Sequence, residues 1–402
     1  MKLFQRLLVA PAALGLISPI SAYATEVNLS EISNYSDIES IEFSNSFNDT
    51  DSNEGQLLAG GEGLSDSHDH GSDSFSSTTA ASFDVDFIVG AVDGSTTSQK
   101  TTATYSYQIG LSTSFTGEDS LDVAIDAGNG ITNLNEGDLN STSSDTLQVD
   151  GITYTFPIGE NLTVLVGDST SGSALYSTAC AYGGFTNTLD DCGNGASAFG
   201  TNSDGSVGFS ASYDIGSGFT AAVGYVGSGS TTKGLMTEES IYYYGGQLAY
   251  TTDSYGVSLT LSTNEESTTA ETVYTAVNAF WAPSETGLIP SISGGIEKGD
   301  VSDETGGTHT GNDLDTPSGN RRDTYQWFVG VQWDEIGAGT LGAAIGTAGA
   351  IVEDAELLQM YEVFYSYPVN DSMTITPAFF VKELAGSGDD ESGLLVKTSF
   401  SF

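Results

Sequence analysis

Positive charge is what this chain has least of. Nine Lys and Arg stand against 54 Asp and Glu in 402 residues, a formal net charge of −45. Such a molecule repels phosphates and anionic head groups and attracts cations, so nucleic-acid binding is excluded. Adaptation to saline surroundings yields the same balance in an exported β-protein, and charge alone does not separate the two. Histidine is equally scarce: His68, His70 and His309 are the only three. A hydrolytic Ser–His pair would have to use His309, which sits in a Gly/Thr-rich stretch with no strand to fix it, so enzyme chemistry is not expected. Long apolar runs are missing too. Beyond the first two dozen residues nothing approaches the roughly 18 apolar residues of a membrane helix. If this chain enters a membrane, it does so as a closed β-barrel, the one arrangement that satisfies strand backbones in lipid.

What is present begins with an export signal. Lys2 and Arg6 precede the apolar run LLVAPAALGLISPI, and Ala22-Tyr23-Ala24 is a small-x-small cleavage site. Residues 1–24 therefore read as a signal peptide. Residues 25–82 are polar, acidic and without hydrophobic periodicity, and read as a largely disordered segment. SHDHGSD within it offers His68, Asp69 and His70 as weak metal donors, but a solvated charge run is the expected state. The Asp-rich stretch before Asp323 lacks the spacing and closing Glu of a calcium loop. No cofactor or metal is expected.

At residue 83 the texture changes. FDVDFIV puts Phe83, Val85, Phe87 and Val89 on one face and Asp84 and Asp86 on the other. DSLDVAIDAG sets Leu121, Val123 and Ile125 against Asp122 and Asp126. Carboxylates facing a dry core would be costly, whereas on the wet face of a barrel they cost little. The pattern repeats as about sixteen strands, starting near Phe83, Thr101, Ser120, Leu147, Asn161, Gly205, Gly218 and Glu239, then Ser254, Glu271, Leu288, Asp323, Ala338, Leu357, Ser372 and Ser392. Tight turns such as DIGSG, TTDS and DEIGAG alternate with long connections at 168–204 and 298–323. Short turns at one end and long loops at the other are the habit of outer-membrane barrels.

Aromatic placement points the same way. Tyr325, Trp327, Val329, Val331 and Trp333 share a face with aromatics at its ends and aliphatics between. Eight strand steps cover about 26 Å, or roughly 20 Å once tilted, which is near the height of an apolar belt between aromatic girdles. Tyr361, Val363, Tyr365 and Tyr367 form a similar face, as do Met373, Ile375, Pro377, Phe379 and Val381. The chain ends on SGLLVKTSFSF, whose outward set closes on Phe400 and Phe402. That ending is the assembly signal expected of a barrel, though the strand alone would also suit a soluble sandwich. The fold class expected is all-β: a transmembrane antiparallel β-barrel over 83–402 with a disordered acidic N-terminal segment.

These features resemble the cyanobacterial outer-membrane porins of the OprB-like, carbohydrate-selective and iron-uptake family. FSSTTAASFDVDFIVGAV resembles that family's opening strand, and FSNSFNDTDSNEGQLLAGGEG resembles its marine members. ITPAFFVKE and the GLLVKTSFSF ending match as well. Family members usually carry an S-layer-homology domain and a coiled coil before the barrel. Here only residues 25–82 stand between the signal peptide and Phe83, without helical heptads. The resemblance implies location in the cell outer membrane, passage of sugars or of inorganic ions including iron, and a homotrimer.

Candidate pore-lining residues follow from strand parity: Asp84, Asp86, Asp122, Asp126, Glu362, Lys382 and Lys397. Arg321 and Arg322 adjoin a strand start and either reach a constriction or pair with rim carboxylates. Rings of charge and a loop folded inward would set selectivity, and the acid excess predicts cation preference. Cys180 and Cys192, with a Gly/Asn-rich stretch between them and no histidine nearby, read as one disulfide closing a loop outside the bilayer. Expected partners are outer-membrane lipid, barrel-assembly machinery and small hydrophilic solutes or ions. The alternative function is a surface structural or adhesion protein whose barrel anchors long loops.

Overall fold

The computed structural model describes residues 79–94, 100–129, 132–139, 145–189, 207–229, 234–237, 240–267, 270–284, 287–301, 323–353, 355–386 and 390–402. The expected signal peptide, the polar segment as far as residue 78, the three histidines, Cys192, Arg321 and Arg322 lie outside them. Among the described residues no helix is long and apolar enough to cross a membrane.

Strands dominate. In chain order they are β1 (Thr79–Asp93), β2 (Thr102–Thr113), β3 (Ser120–Gly128), β4 (Gln148–Ile158), β5 (Leu162–Asp168) and β6 (Val207–Gly216). There follow β7 (Phe219–Gly227), β8 (Tyr242–Thr251), β9 (Tyr255–Ser267), β10 (Ala270–Trp281), β11 (Ser291–Val301) and β12 (Thr324–Ile336). The last are β13 (Gly339–Thr347), the two-residue β14 (Ile351–Val352), β15 (Gln359–Asn370), β16 (Met373–Lys382) and β17 (Glu391–Ser401). Each long strand pairs antiparallel with its chain neighbours, and β1 pairs with both β2 and β17, so the sheet closes into a barrel of sixteen long strands. β14 is a return of the β13–β15 connection that completes the pairing of Thr324 and Tyr325, while β13 pairs directly with β15.

Closure leaves no free edge, and the final residue contributes to it. Phe402 exchanges two backbone hydrogen bonds with Phe83, at 2.8 and 3.0 Å, and their rings stack at 5.7 Å. The first strand begins at Thr79, four residues before the expected start, so residues 79–82 belong to the barrel and not to the polar segment; they pair with 110–113 of β2.

The exposed large apolar residues of the long strands lie on the outer face of the barrel. On β9, Val257, Leu259 and Leu261 are 46%, 44% and 52% exposed, while the intervening Ser258, Thr260 and Ser262 are buried. Water would penalise such a surface, and lipid would not. Tyr361, Val363, Tyr367 and Phe379 are exposed in the same way. Pro377 sits mid-strand opposite Val396 on this face, and β16 continues through it. The connections alternate as expected, with two exceptions. The β9–β10 connection at the long-loop end spans only 268–269, and the β10–β11 connection at the short-turn end runs from 282 to 290.

One feature inverts the expected wet interior. Ile88, Val92, Met360, Phe364, Phe380 and Leu395 are apolar residues on the inward parity, and all are buried. They form an internal core because other parts of the chain fold in and cover them. One is the kinked 3-10 stretch Thr132–Gly137 with its buried Leu134; the others are Tyr182, Phe185 and Leu189 from the β5–β6 connection.

Candidate functional site

The described part of the β5–β6 connection, 169–189, lies along the inner wall and is held strand by strand. The amide of Leu175 donates to Ser210 Oγ of β6 at 3.1 Å. Gln247 of β8 clamps Ser177, accepting from its N–H at 2.7 Å and donating to its carbonyl at 2.9 Å. Ala181 N donates to Ser293 Oγ of β11 at 2.8 Å, and Gly183 N to Gln332 Oε1 of β12 at 3.1 Å. On β15, Glu362 accepts from Tyr182 Oη, from Phe185 N at 3.2 Å and from Thr186 N at 2.8 Å. The segment therefore follows the wall from β6 round to β15.

Missing side chains make room for it. A Cβ on Gly330 would stand 2.5 Å from the Tyr182 ring, one on Gly346 2.8 Å from Leu189, and one on Gly224 would overlap the backbone of Gly172. Cys180, in the middle of this segment, is disulfide-bonded, and Cys192 is the only other cysteine in the chain. Cys192 lies outside the described residues, and the described part of the cysteine-bearing connection, 169–189 with Cys180, is thus an interior element of the barrel. The physical reason is the apolar inner patch, which needs a cover that water does not supply.

The seven described acid and lysine candidates all fall on the inner face. The register aligns Asp84 with Ser401 and Gln108, Asp86 with Ser399 and Ser106, and Asp122 with Ser112 and Thr153. Their environments differ from what parity implied. Glu362 is 4% exposed beneath the inward segment, so it contacts chain and not an open channel. Lys382 pairs with Glu136 at 2.6 Å and reaches Thr188 Oγ1 at 3.2 Å. Lys397 donates to the carbonyl of Asp138 at 3.5 Å and lies 5.2 Å from the centre of the Phe185 ring, a cation–π contact. Both inward lysines are occupied in fixing inward-folded chain. Asp126 is buried.

The wall from β1 to β4 is different. Ser82, Gly110, Ala124 and Gly151 align across it as a row of small residues and floor a depression of about 390 Å³. Gln108, Asp122 and Asp150 stand on its sides, with Gln108 Nε2 donating to Asp150 at 3.3 Å. Ser399 Oγ donates to Asp86 at 2.5 Å, and Ser120 Oγ to both oxygens of Asp122 at 2.8 Å. Hydroxyl donors orient these carboxylates without neutralising them. Among the described residues no cation pairs with Asp84, Asp86 or Asp122. Nor do these residues bring three or more His, Cys, Asp or Glu together as a metal site.

Sequence reasoning missed Glu136, Gln247, Ser293 and Gln332, which hold the inward chain. Only the apolar residues at inward parity hinted at a docking wall.

No family model matches the chain, and no curated protein does. Solved structures do match. The OprB of Pseudomonas putida superimposes with a TM-score of 0.57 at 13% identity, covering 81% of this chain and 94% of that one. A triple mutant of Rhodopseudomonas blastica porin gives 0.52 at 12% identity, covering 81% of this chain and all of that one. At such identities the likeness is one of fold: this chain has the antiparallel barrel of bacterial porins.

Proposed function

We propose that this protein is an outer-membrane porin, a passive pore for small hydrophilic solutes and ions that prefers cations, and not an enzyme. One observation carries the reading. A barrel of sixteen long strands is wide enough to hold an aqueous channel, and here the described β5–β6 segment covers the wall from β6 to β15 while Asp84, Asp86 and Asp122 stand on another with no cation paired to them among the described residues. Carboxylates on the walls of a narrow, low-dielectric passage raise the local cation concentration. Of the two inward lysines, Lys382 is balanced by Glu136, and Lys397 keeps its charge against the Phe185 ring.

Sugars, or inorganic ions including iron, are the solutes that the resemblance to OprB-like cyanobacterial porins suggests. The shared barrel fold supports that resemblance at the level of architecture. Assembly as a homotrimer in outer-membrane lipid, insertion by barrel-assembly machinery through Phe400 and Phe402, and a Cys180–Cys192 bridge closing the inward segment belong to the same reading. Single-channel recording of the purified protein in a planar bilayer tests it. Discrete conductance steps are expected. A silent, correctly folded barrel would favour the surface-anchor alternative.

A further inference from the structure

The porin reading needs the inward segment to stay against the wall, and the contacts holding it are unequal. Leu175, Ala181 and Gly183 each make a single bond to a neutral Ser or Gln side chain. Glu362 alone gathers three donors from five consecutive residues, Tyr182 to Thr186. Its surroundings make this more telling. Its cross-strand partners are Ala344 and Phe380, and Met360 and Phe364 flank it along the inward face of β15. A lone carboxylate in an apolar patch is costly unless its oxygens are bonded. Two donors reach Oε1 and one reaches Oε2, so the segment satisfies the carboxylate and the carboxylate satisfies two backbone N–H groups of the segment. The apolar contacts of Phe185 and Leu189 are non-directional and tolerate sliding; the Glu362 bonds permit one register.

We propose that Glu362 is the positioning residue that latches the inward segment to the wall and so sets the width of the passage, a role that rests on the porin reading. The segment has a second tie farther along, where Lys382 and Glu136 meet Thr188, and an earlier one at Gln247. Losing Glu362 should therefore free the stretch around Tyr182–Thr186 without detaching the whole segment.

The test uses the full-length protein in detergent and Glu362→Ala. Tyr182 and Phe185 are chymotrypsin sites buried to 4% and 3% exposure. Stranding buried N–H groups opens local structure readily, so cleavage after these two residues, mapped by mass spectrometry after reduction, should quicken by about tenfold or more. Channel current should fluctuate more and average higher in the same variant. Glu362→Gln, which keeps one acceptor oxygen and the shape, should fall between. Cleavage of Glu362→Ala at the wild-type rate, with the barrel still shifting on heating in gel electrophoresis, would overturn the proposal. If the Ala variant does not assemble, wild-type resistance of the Gln variant to chymotrypsin overturns it equally. Protection is read without any current, so a non-conducting barrel that still shows the cleavage difference would sink the porin reading and leave the latch standing.

Discussion

Asp119 shows how much one side chain organises in this molecule. It closes the turn between β2 and β3, accepting from Ser114 Oγ, from Phe115 N, and from both the N–H and the hydroxyl of Thr116, all between 2.7 and 3.0 Å. Its second oxygen takes the Tyr154 hydroxyl at 2.6 Å, which fastens the turn to β4. These donors, Tyr154 first, hold its carboxyl well below the usual carboxylate range against the opposing effect of burial. A depressed carboxylate contributes its full stability above its unfolded value, near pH 4, and loses it progressively as pH falls from there through the lower folded value. The turn should therefore keep its protection from amide exchange through pH 4. Asp119→Asn, which offers one acceptor oxygen in place of two, should speed exchange at Phe115 and Thr116 at neutral pH. Unchanged exchange there would show that the turn is held by its backbone alone.

Among the elements, β17 carries the clearest consequence. Its last residue joins the ends of the sheet through two backbone bonds and a ring stack to Phe83. Deleting Phe402 removes all three, a loss of about 2–4 kcal/mol by the usual worth of such bonds and aromatic pairs. The deletion should lower membrane insertion and the temperature at which the barrel opens in detergent; normal levels and an unchanged opening temperature would show that closure does not depend on this residue. The strands themselves were legible. All sixteen long strands begin within four residues of the starts read from alternation, and parity placed Asp84, Asp122, Lys382 and Lys397 on the correct face. Period-two alternation reports faces reliably because a shift of one residue would bury every charge. What alternation does not report is which connection turns back into the barrel. The clues to that are violations of the pattern: Met360, Phe364, Phe380 and Leu395 where polar residues were due, and Gly330 and Gly346 where the wall must admit Tyr182 and Leu189. Partners far apart in sequence, such as Glu136 with Lys382 and Tyr182 with Glu362, leave no local pattern to read.

For the whole molecule, the charge excess matters less than where it stands. An overall −45 includes loops and the N-terminal segment, where salt screens charge within about 8 Å at physiological strength. The inner wall concentrates the effect in a few positions, since Glu136 balances Lys382 while, among the described residues, no cation pairs with Asp84, Asp86 or Asp122. Converting these three aspartates together to asparagine should reduce cation preference while leaving the barrel assembled, since each keeps its shape and no ion pair is broken. The most direct test of the account is the reversal potential of the wild-type channel across a potassium chloride gradient. A potential of the sign set by potassium permeating faster than chloride is expected, moving toward zero in the triple asparagine variant; a potential set by chloride would contradict cation preference.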